Sequence, residues 1–275
     1  MTEQINKKYL KEKQYKSTKY LEARIKIHQF TKNIIGFHEW IFSQYDLSEF
    51  KKNNNEIKIL DVGCGTGVFW KKNLNNFQDY KLDITFTDAT EAMVEKEKIN
   101  TAELNAKKKY EIADIDNLEK YKNQFDIVFC HNVVYHAGDK EKSIKNLKDC
   151  LNDKPSSFCS ITTNSEKHML NVYEIGRKLD SNFPTDRIID TFTEELADKM
   201  LTKYFKVDKK LELEKLKVTD LEILMNYVAS GVEPRNIKLK DNFYEEYSKI
   251  AKSEIESKGF FEIIKRSPLY ICKKN

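Results

Sequence analysis

Three of the chain's eight glycines fall within five residues, at Gly63, Gly65 and Gly67 in "ILDVGCGTGVFW", and an acid, Asp61, stands two places before the first. Glycine tolerates left-handed backbone and leaves no side chain above it, so alternating glycines after an apolar strand let a ligand lie against the main chain. A dinucleotide fingerprint spaces its glycines as Gly-x-Gly-x-x-Gly and aims a helix N-terminus at a pyrophosphate. Here the spacing is Gly-x-Gly-x-Gly. The Asp61 carboxylate would repel a pyrophosphate and attract an ammonium group. The pattern therefore points to a cationic amino-acid nucleoside. Two more acids follow, Asp88 at 21 residues beyond Gly67 and Asp114 at the end of "YEIAD".

Such residues need a frame to hold them together. "IKILDV", "DITFTD" (83–88), "YEIAD" (110–114) and "FDIVFCH" (125–131) are short apolar runs, separated by polar Lys/Glu-rich stretches with helical spacing. Strand and helix in alternation predict parallel strands joined by helical crossovers, hence an α/β, doubly wound sheet. "SFCSITT" (157–163) is expected as a fifth strand, and "FKVDKKLELEKLKV" and "FFEIIKRSPLYICKK" complete a seven-stranded, mostly parallel sheet. The first fifty residues read as amphipathic helices, through Leu21, Ile25, His28, Ile35, Phe37, Ile41 and Phe42, and "KKNNNE" is a polar linker. The expected organisation is an N-terminal helical cap over 1–55 and an α/β domain over 56–275, with an insertion around 164–190.

Composition narrows the class. At 275 residues, with 40% hydrophobic and 12% aromatic residues, the chain can bury a large core. Its net charge of +4 comes from lysines mixed with nearly as many acids; only Arg24, Arg177, Arg187, Arg235 and Arg266 are arginine among 48 basic residues. No Arg-rich cluster suited to phosphate recognition appears, so no nucleic-acid partner is expected. Five cysteines without a CxxC pairing fit neither a disulfide framework nor a zinc site, and the histidines lack metal-site spacing. With a polar N-terminus and no apolar run of membrane length, the expectation is a cytoplasmic protein without a membrane partner or a metal.

At "DVGCGTG" the sequence resembles the class I S-adenosylmethionine-dependent methyltransferases, whose first motif is acid-x-Gly-x-Gly-x-Gly. The resemblance implies a Rossmann-like fold, with S-adenosyl-L-methionine as cofactor and S-adenosyl-L-homocysteine as product. It implies a cofactor site of Asp61, Gly63, Cys64, Gly65 and Gly67, with Asp88, Ala89 and Met93 around the ribose. Asp114 and Ile115 would take the adenine, and Cys130 and His131 would follow the fourth strand. "FDIVFCHNVVYHAGDKEKSIKNLKDCL" is similar to the ubiquinone-biosynthesis type of these enzymes. "YLEARIKIHQFTKNIIGFHEWIF" and "TTNSEKHML" resemble the lid and substrate-covering insertion of bacterial small-molecule methyltransferases. On that likeness Arg24 is a candidate for the cofactor's carboxylate, by two parallel hydrogen bonds. "NDKPSSF" departs from the Lys-Pro-Gly-Gly that relatives carry before the fifth strand.

Methyl transfer from a sulfonium is a direct displacement, so the protein's task is to align the nucleophile and exclude water. His136 and Tyr135, after the fourth strand, are the catalytic candidates, with His136 as a general base for an acidic acceptor. His28, Trp40, Asn164 and His168 are candidates for the acceptor pocket. The loop "CHNVVYH" lacks the (Asp/Asn)-Pro-Pro-aromatic motif of adenine methylases, and no cysteine has a neighbouring proline. The expectation is a small-molecule methyltransferase, with a tRNA or rRNA methyltransferase and a non-catalytic S-adenosylmethionine-binding protein as alternatives. The apolar N-terminal helices suit either a lid or a contact between copies, so monomer and homodimer both stay open.

Overall fold

A computed structural model describes residues 18–31, 33–53, 55–184 and 191–275. Parts of the expected cap (1–17, 32 and 54) and insertion (185–190) lie outside the described residues. The seven strands are β1 (Ile57–Val62), β2 (Leu82–Asp88), β3 (Lys107–Ile112), β4 (Ile127–His131), β5 (Phe158–Thr162), β6 (Phe205–Val218) and β7 (Phe261–Lys274). They run in the order β3-β2-β1-β4-β5-β7-β6, parallel from β3 to β5, with β7 antiparallel to β5. The chain steps outward from β1 to β3 and returns to place β4 on the other side of β1. That reversal leaves a crevice at the carboxyl ends of β1 and β4, where doubly wound sheets bind ligands.

The chain divides into two compact units. The first, 35–164 with 192–212 and 267–275, contains the glycine loop. Its strands alternate sides, as the two-residue period of a strand requires. Ile57, Ile59, Ile127 and Phe129 join one cluster with Phe69, Trp70, Phe77 and Phe86. Leu60, Val62, Val128 and Cys130 join the other with Ile144, Leu147 and Leu201. Burial on both faces is what makes these strands near-continuous apolar runs. β3 is different: it is an edge strand with exposed Lys107 and Lys109, and it spans 107–112 where "YEIAD" predicted 110–114. All five cysteines are free thiols, and Cys130, Cys150, Cys159 and Cys272 are buried.

The second unit takes up to Ile34, 165–191 and 213–266. Its helices Leu170–Leu179, Leu221–Val232 and Phe243–Lys258 close over Ile27, Met169, Val172, Leu224, Phe243, Tyr247 and Ile263. Gly176 is required there, since a Cβ would come within 2.3 Å of the Phe183 ring. The stretch expected as a cap is thus shared out: helix Thr18–Lys26 belongs to this unit, and helices Phe37–Ser43 and Ser48–Asn53 belong with the sheet. No helix among the described residues is long and apolar enough to cross a membrane.

Candidate functional site

The glycine loop turns from β1 into helix Val68–Lys72, with Gly63, Gly65 and Gly67 at φ of +67°, +61° and +75°. The three serve different ends. A Cβ on Gly63 would meet a Val133 methyl at 2.5 Å, and one on Gly67 would meet the Glu97 carboxylate at 2.4 Å. A Cβ on Gly65 meets nothing within 4 Å. Two of the glycines therefore serve the protein's own packing, and Gly65 alone leaves bare backbone beside open space. Cys64, half-buried between them, donates its N–H to Thr87 O at 2.9 Å, which fastens the loop to β2.

Acids surround this cradle. Asp61, 5% exposed at the end of β1, accepts the Trp70 indole N–H on Oδ2 at 2.7 Å, and its Oδ1 makes no hydrogen bond among the described residues. Burial pushes its carboxyl up to about 7; the Trp70 hydrogen bond opposes the rise and the Asp88 charge adds to it. Asp88 ends β2 and braces the loop: Oδ2 accepts Gly65 N–H at 3.2 Å, and Oδ1 accepts the Thr90 N–H and hydroxyl, each at 2.9 Å. Glu97, on helix Glu91–Asn100, is fully buried, and neither of its oxygens reaches a hydrogen-bond partner among the described residues. Burial, then the charges of Asp61 and Asp88, push it up to about 9, against a pull from the Cys64 thiol. Three carboxyls around a patch of open backbone suit a ligand that brings positive charge. The open oxygen of Asp61 and the open cradle of Gly65 fit the amino-acid end of S-adenosylmethionine.

Beyond β3, Asp114 Oδ1 accepts Asp116 N–H at 3.1 Å, and Ile115 is buried in the core. Asp116 then holds the loop after β4, accepting Gly138 N–H at 3.0 Å and the Ser143 hydroxyl at 2.8 Å. Sequence reasoning missed Asp116, although the Asp-x-Asp turn spacing was visible. It also missed Trp70, Glu97, Tyr45 and Ser160. Along β4, Phe129 pairs with Asp61 at the end of the β1–β4 register, and His131 lies two residues further on, at the end of β4. His131 stacks on Phe129 with centroids 5.2 Å apart and meets the edge of Phe69 at 5.0 Å. Burial pushes its imidazole down to about 3, with a further push from His38, so it is neutral at physiological pH.

The remaining candidates fall in several places. Tyr135 and His136 form one turn with Val134, their rings 4.4 Å apart. Ala89 and Met93 are half-buried just past Asp88. The Cys130 side chain is fully buried in the core on the sheet face opposite His131, which leaves only its backbone for a ligand. Trp40 stacks on Phe37 at 6.0 Å, and Asn164 Oδ1 accepts the Ser267 hydroxyl at 3.2 Å. Arg24, His28 and His168 lie in the second unit. There the Arg24 guanidinium donates to Ser230 O at 2.7 Å, and His168, buried and pushed down to about 3, has Nδ1 at 3.2 Å from the Arg266 amide N. Among the described residues no group of three His, Cys, Asp or Glu side chains is arranged to hold a metal.

A family model described as a methyltransferase domain matches residues 60–154, the stretch from β1 to just past the helix after β4. Over about a third of the chain, these residues are thus similar to a methyltransferase domain. A tRNA U34 carboxymethyltransferase of Campylobacter jejuni is 34% identical over 106 residues, which take in 38% of this chain and 35% of that protein. This chain thus matches well under half of that relative's length. A ubiquinone biosynthesis O-methyltransferase of Rickettsia bellii is 28% identical over 129 residues, 46% of this chain and 52% of that one. Among solved structures, a Haemonchus contortus phosphoethanolamine N-methyltransferase 2, in complex with phosphomonomethylethanolamine and S-adenosylhomocysteine, superposes with a TM-score of 0.54 at 18% identity. It covers 97% of this chain and 59% of that one, a likeness of fold.

Proposed function

We propose that this chain transfers a methyl group from S-adenosylmethionine to a small-molecule acceptor. The observation that carries the reading is the open backbone at Gly65, flanked by the unfilled Asp61 oxygen and braced by Asp88. When bound, S-adenosylmethionine supplies a methyl group on a positively charged sulfur, open to direct displacement. Asp61 would take the cofactor's ammonium, Asp88 the ribose hydroxyls, and Asp114 with Ile115 the adenine. The Asp116 anchor keeps the loop bearing Tyr135 and His136 in place, which preserves the alignment that displacement needs.

The small-molecule acceptor is supported by the scarcity of arginine and by the loop "CHNVVYH", which lacks a base-holding motif. A tRNA acceptor is the second reading, favoured by the similarity to the Campylobacter tRNA U34 carboxymethyltransferases. Calorimetric titration with S-adenosylmethionine and S-adenosylhomocysteine, with NAD as control, tests the cofactor. Micromolar binding of the first two alone is expected, and binding of neither sinks the reading. Radiolabelled methyl transfer to unmodified tRNA, with an affinity that falls steeply with salt, would move the acceptor to RNA. Tight cofactor binding without transfer to either class of acceptor would make the chain a binding protein.

A further inference from the structure

The β4 side of the crevice holds a closed triangle of polar atoms. The Tyr45 hydroxyl lies 2.7 Å from Ser160 Oγ and 3.2 Å from His131 Nε2, and Ser160 Oγ lies 2.9 Å from the same nitrogen. Ser160 is fully buried on β5, and the Tyr45 ring is packed on Phe129 and Phe158. Their side chains make no other hydrogen bond among the described residues.

Counting hydrogens fixes the arrangement. Each hydroxyl has one hydrogen to place, and the neutral imidazole has one N–H and one bare nitrogen. If Nε2 carried the hydrogen, it would only donate. The edge between the two hydroxyls takes one hydrogen, and the other hydroxyl's hydrogen would be left without an acceptor among the described residues. If Nε2 is bare, both find acceptors: Tyr45 donates to Ser160 over 2.7 Å and Ser160 donates to His131 over 2.9 Å, and the longest edge, 3.2 Å, needs no hydrogen. The ring hydrogen then sits on Nδ1. That nitrogen makes no hydrogen bond among the described residues, and His131 is only partly buried. His131 ends β4, two residues beyond the Phe129 that pairs with Asp61 of β1.

We propose that Tyr45 and Ser160 hold His131 as the Nδ1–H tautomer, and that this N–H donates a hydrogen bond to an oxygen of the methyl acceptor. The inference rests on the methyltransferase reading of the site. It also narrows the acceptor. An oxygen that accepts a hydrogen bond keeps another lone pair for attack, whereas an amine nitrogen has a single one and is silenced when it is engaged. Tyr45 and Ser160 are positioning residues, because they act through His131.

The test is nuclear magnetic resonance of the full chain labelled with 15N-histidine. Nε2 is expected in the unprotonated range and Nδ1 in the protonated range. Tyr45→Phe, which keeps the ring stack, and Ser160→Ala, each checked as folded by its amide spectrum, should give a mixture of tautomers. An Nε2–H signal in the unaltered protein, or a tautomer unmoved in both variants, overturns the proposal. For the ligand half, acetate and methylammonium are titrated into protein saturated with S-adenosylhomocysteine. The Nδ1–H resonance should move with acetate alone; no shift with acetate, or an equal shift with both, overturns the donor role. S-adenosylhomocysteine that fails to bind in a prior calorimetric titration would sink the methyltransferase reading instead, and the tautomer result would stand apart from it.

Discussion

β1 and β4 are neighbours in the sheet, yet the polar groups at their carboxyl ends are built on opposite terms. Around β1 and β2 stand Asp61, Asp88 and Glu97, three carboxyls with no cation among their hydrogen-bond partners in the described residues; burial and the Asp88 charge push Asp61 up, and burial with the Asp61 and Asp88 charges pushes Glu97 up. Beside β4 stand an imidazole and two hydroxyls, neutral and mutually satisfied. The first arrangement stores unfavourable electrostatics that a cationic ligand relieves, so it serves binding. On the proposal above, the second serves orientation. Affinity and alignment would then rest on different strands.

The sharpest break of this contrast is steric. Gly67→Ala and Gly63→Ala should each destabilise the fold by about 3 kcal/mol in urea titration, combining left-handed strain of about 1–2 kcal/mol with overpacking of about 1–3 kcal/mol. Gly65→Ala has only the strain, and should stay folded while losing S-adenosylmethionine binding. Normal binding by that variant would mean that the loop is not the cradle. Next, Asp88→Ala should weaken cofactor binding by about 1–3 kcal/mol in calorimetry, the cost of unmatched hydrogen-bonding groups; an unchanged affinity would remove Asp88 from the site.

Glu97 tests the stored strain through pH. Its folded carboxyl holds a proton up to about 9, whereas in the unfolded chain the proton leaves near the ordinary value of 4.5. Unfolding therefore releases a proton between those limits, and stability falls as pH rises through the window. Glu97→Gln should flatten that slope and stabilise the protein at pH 8 by about 1–2 kcal/mol, with no gain below pH 4. An unchanged pH profile in denaturation would show Glu97 to be ionised at no cost. The smallest effect expected is on affinity. With Asp61 at about 7 in the free protein, S-adenosylmethionine binding should strengthen as pH rises toward 7, by at most about tenfold per pH unit. Asp61→Asn should bind weakly and without that dependence.

The sequence made most of the sheet legible, because β1, β2, β4 and β5 are buried on both faces and so appear as apolar runs. β3 was displaced, because an edge strand exposes Lys107 and Lys109 and hides its periodicity behind charge. The acid–glycine pattern located the cradle but not the separate reasons for its glycines, since Val133 and Glu97 approach from other elements. Tyr45 and Ser160 lie 115 residues apart, and no spacing rule pairs them. The second unit gathers three stretches of chain, so a contiguous cap was the natural reading of a linear string and not how the residues pack.

The buried thiols make the sheet its own reporter. Burial pushes Cys130, Cys159 and Cys272 well above the ordinary thiol range and Cys150 up to about 12, so at neutral pH each is held as unreactive S–H. Cys159 and Cys272 face each other in register across β5 and β7, and Cys130 sits one strand away on β4. An alkylating reagent reaches these sulfurs only when the strands part, so the order in which they are labelled would read out, strand by strand, where the sheet breathes first.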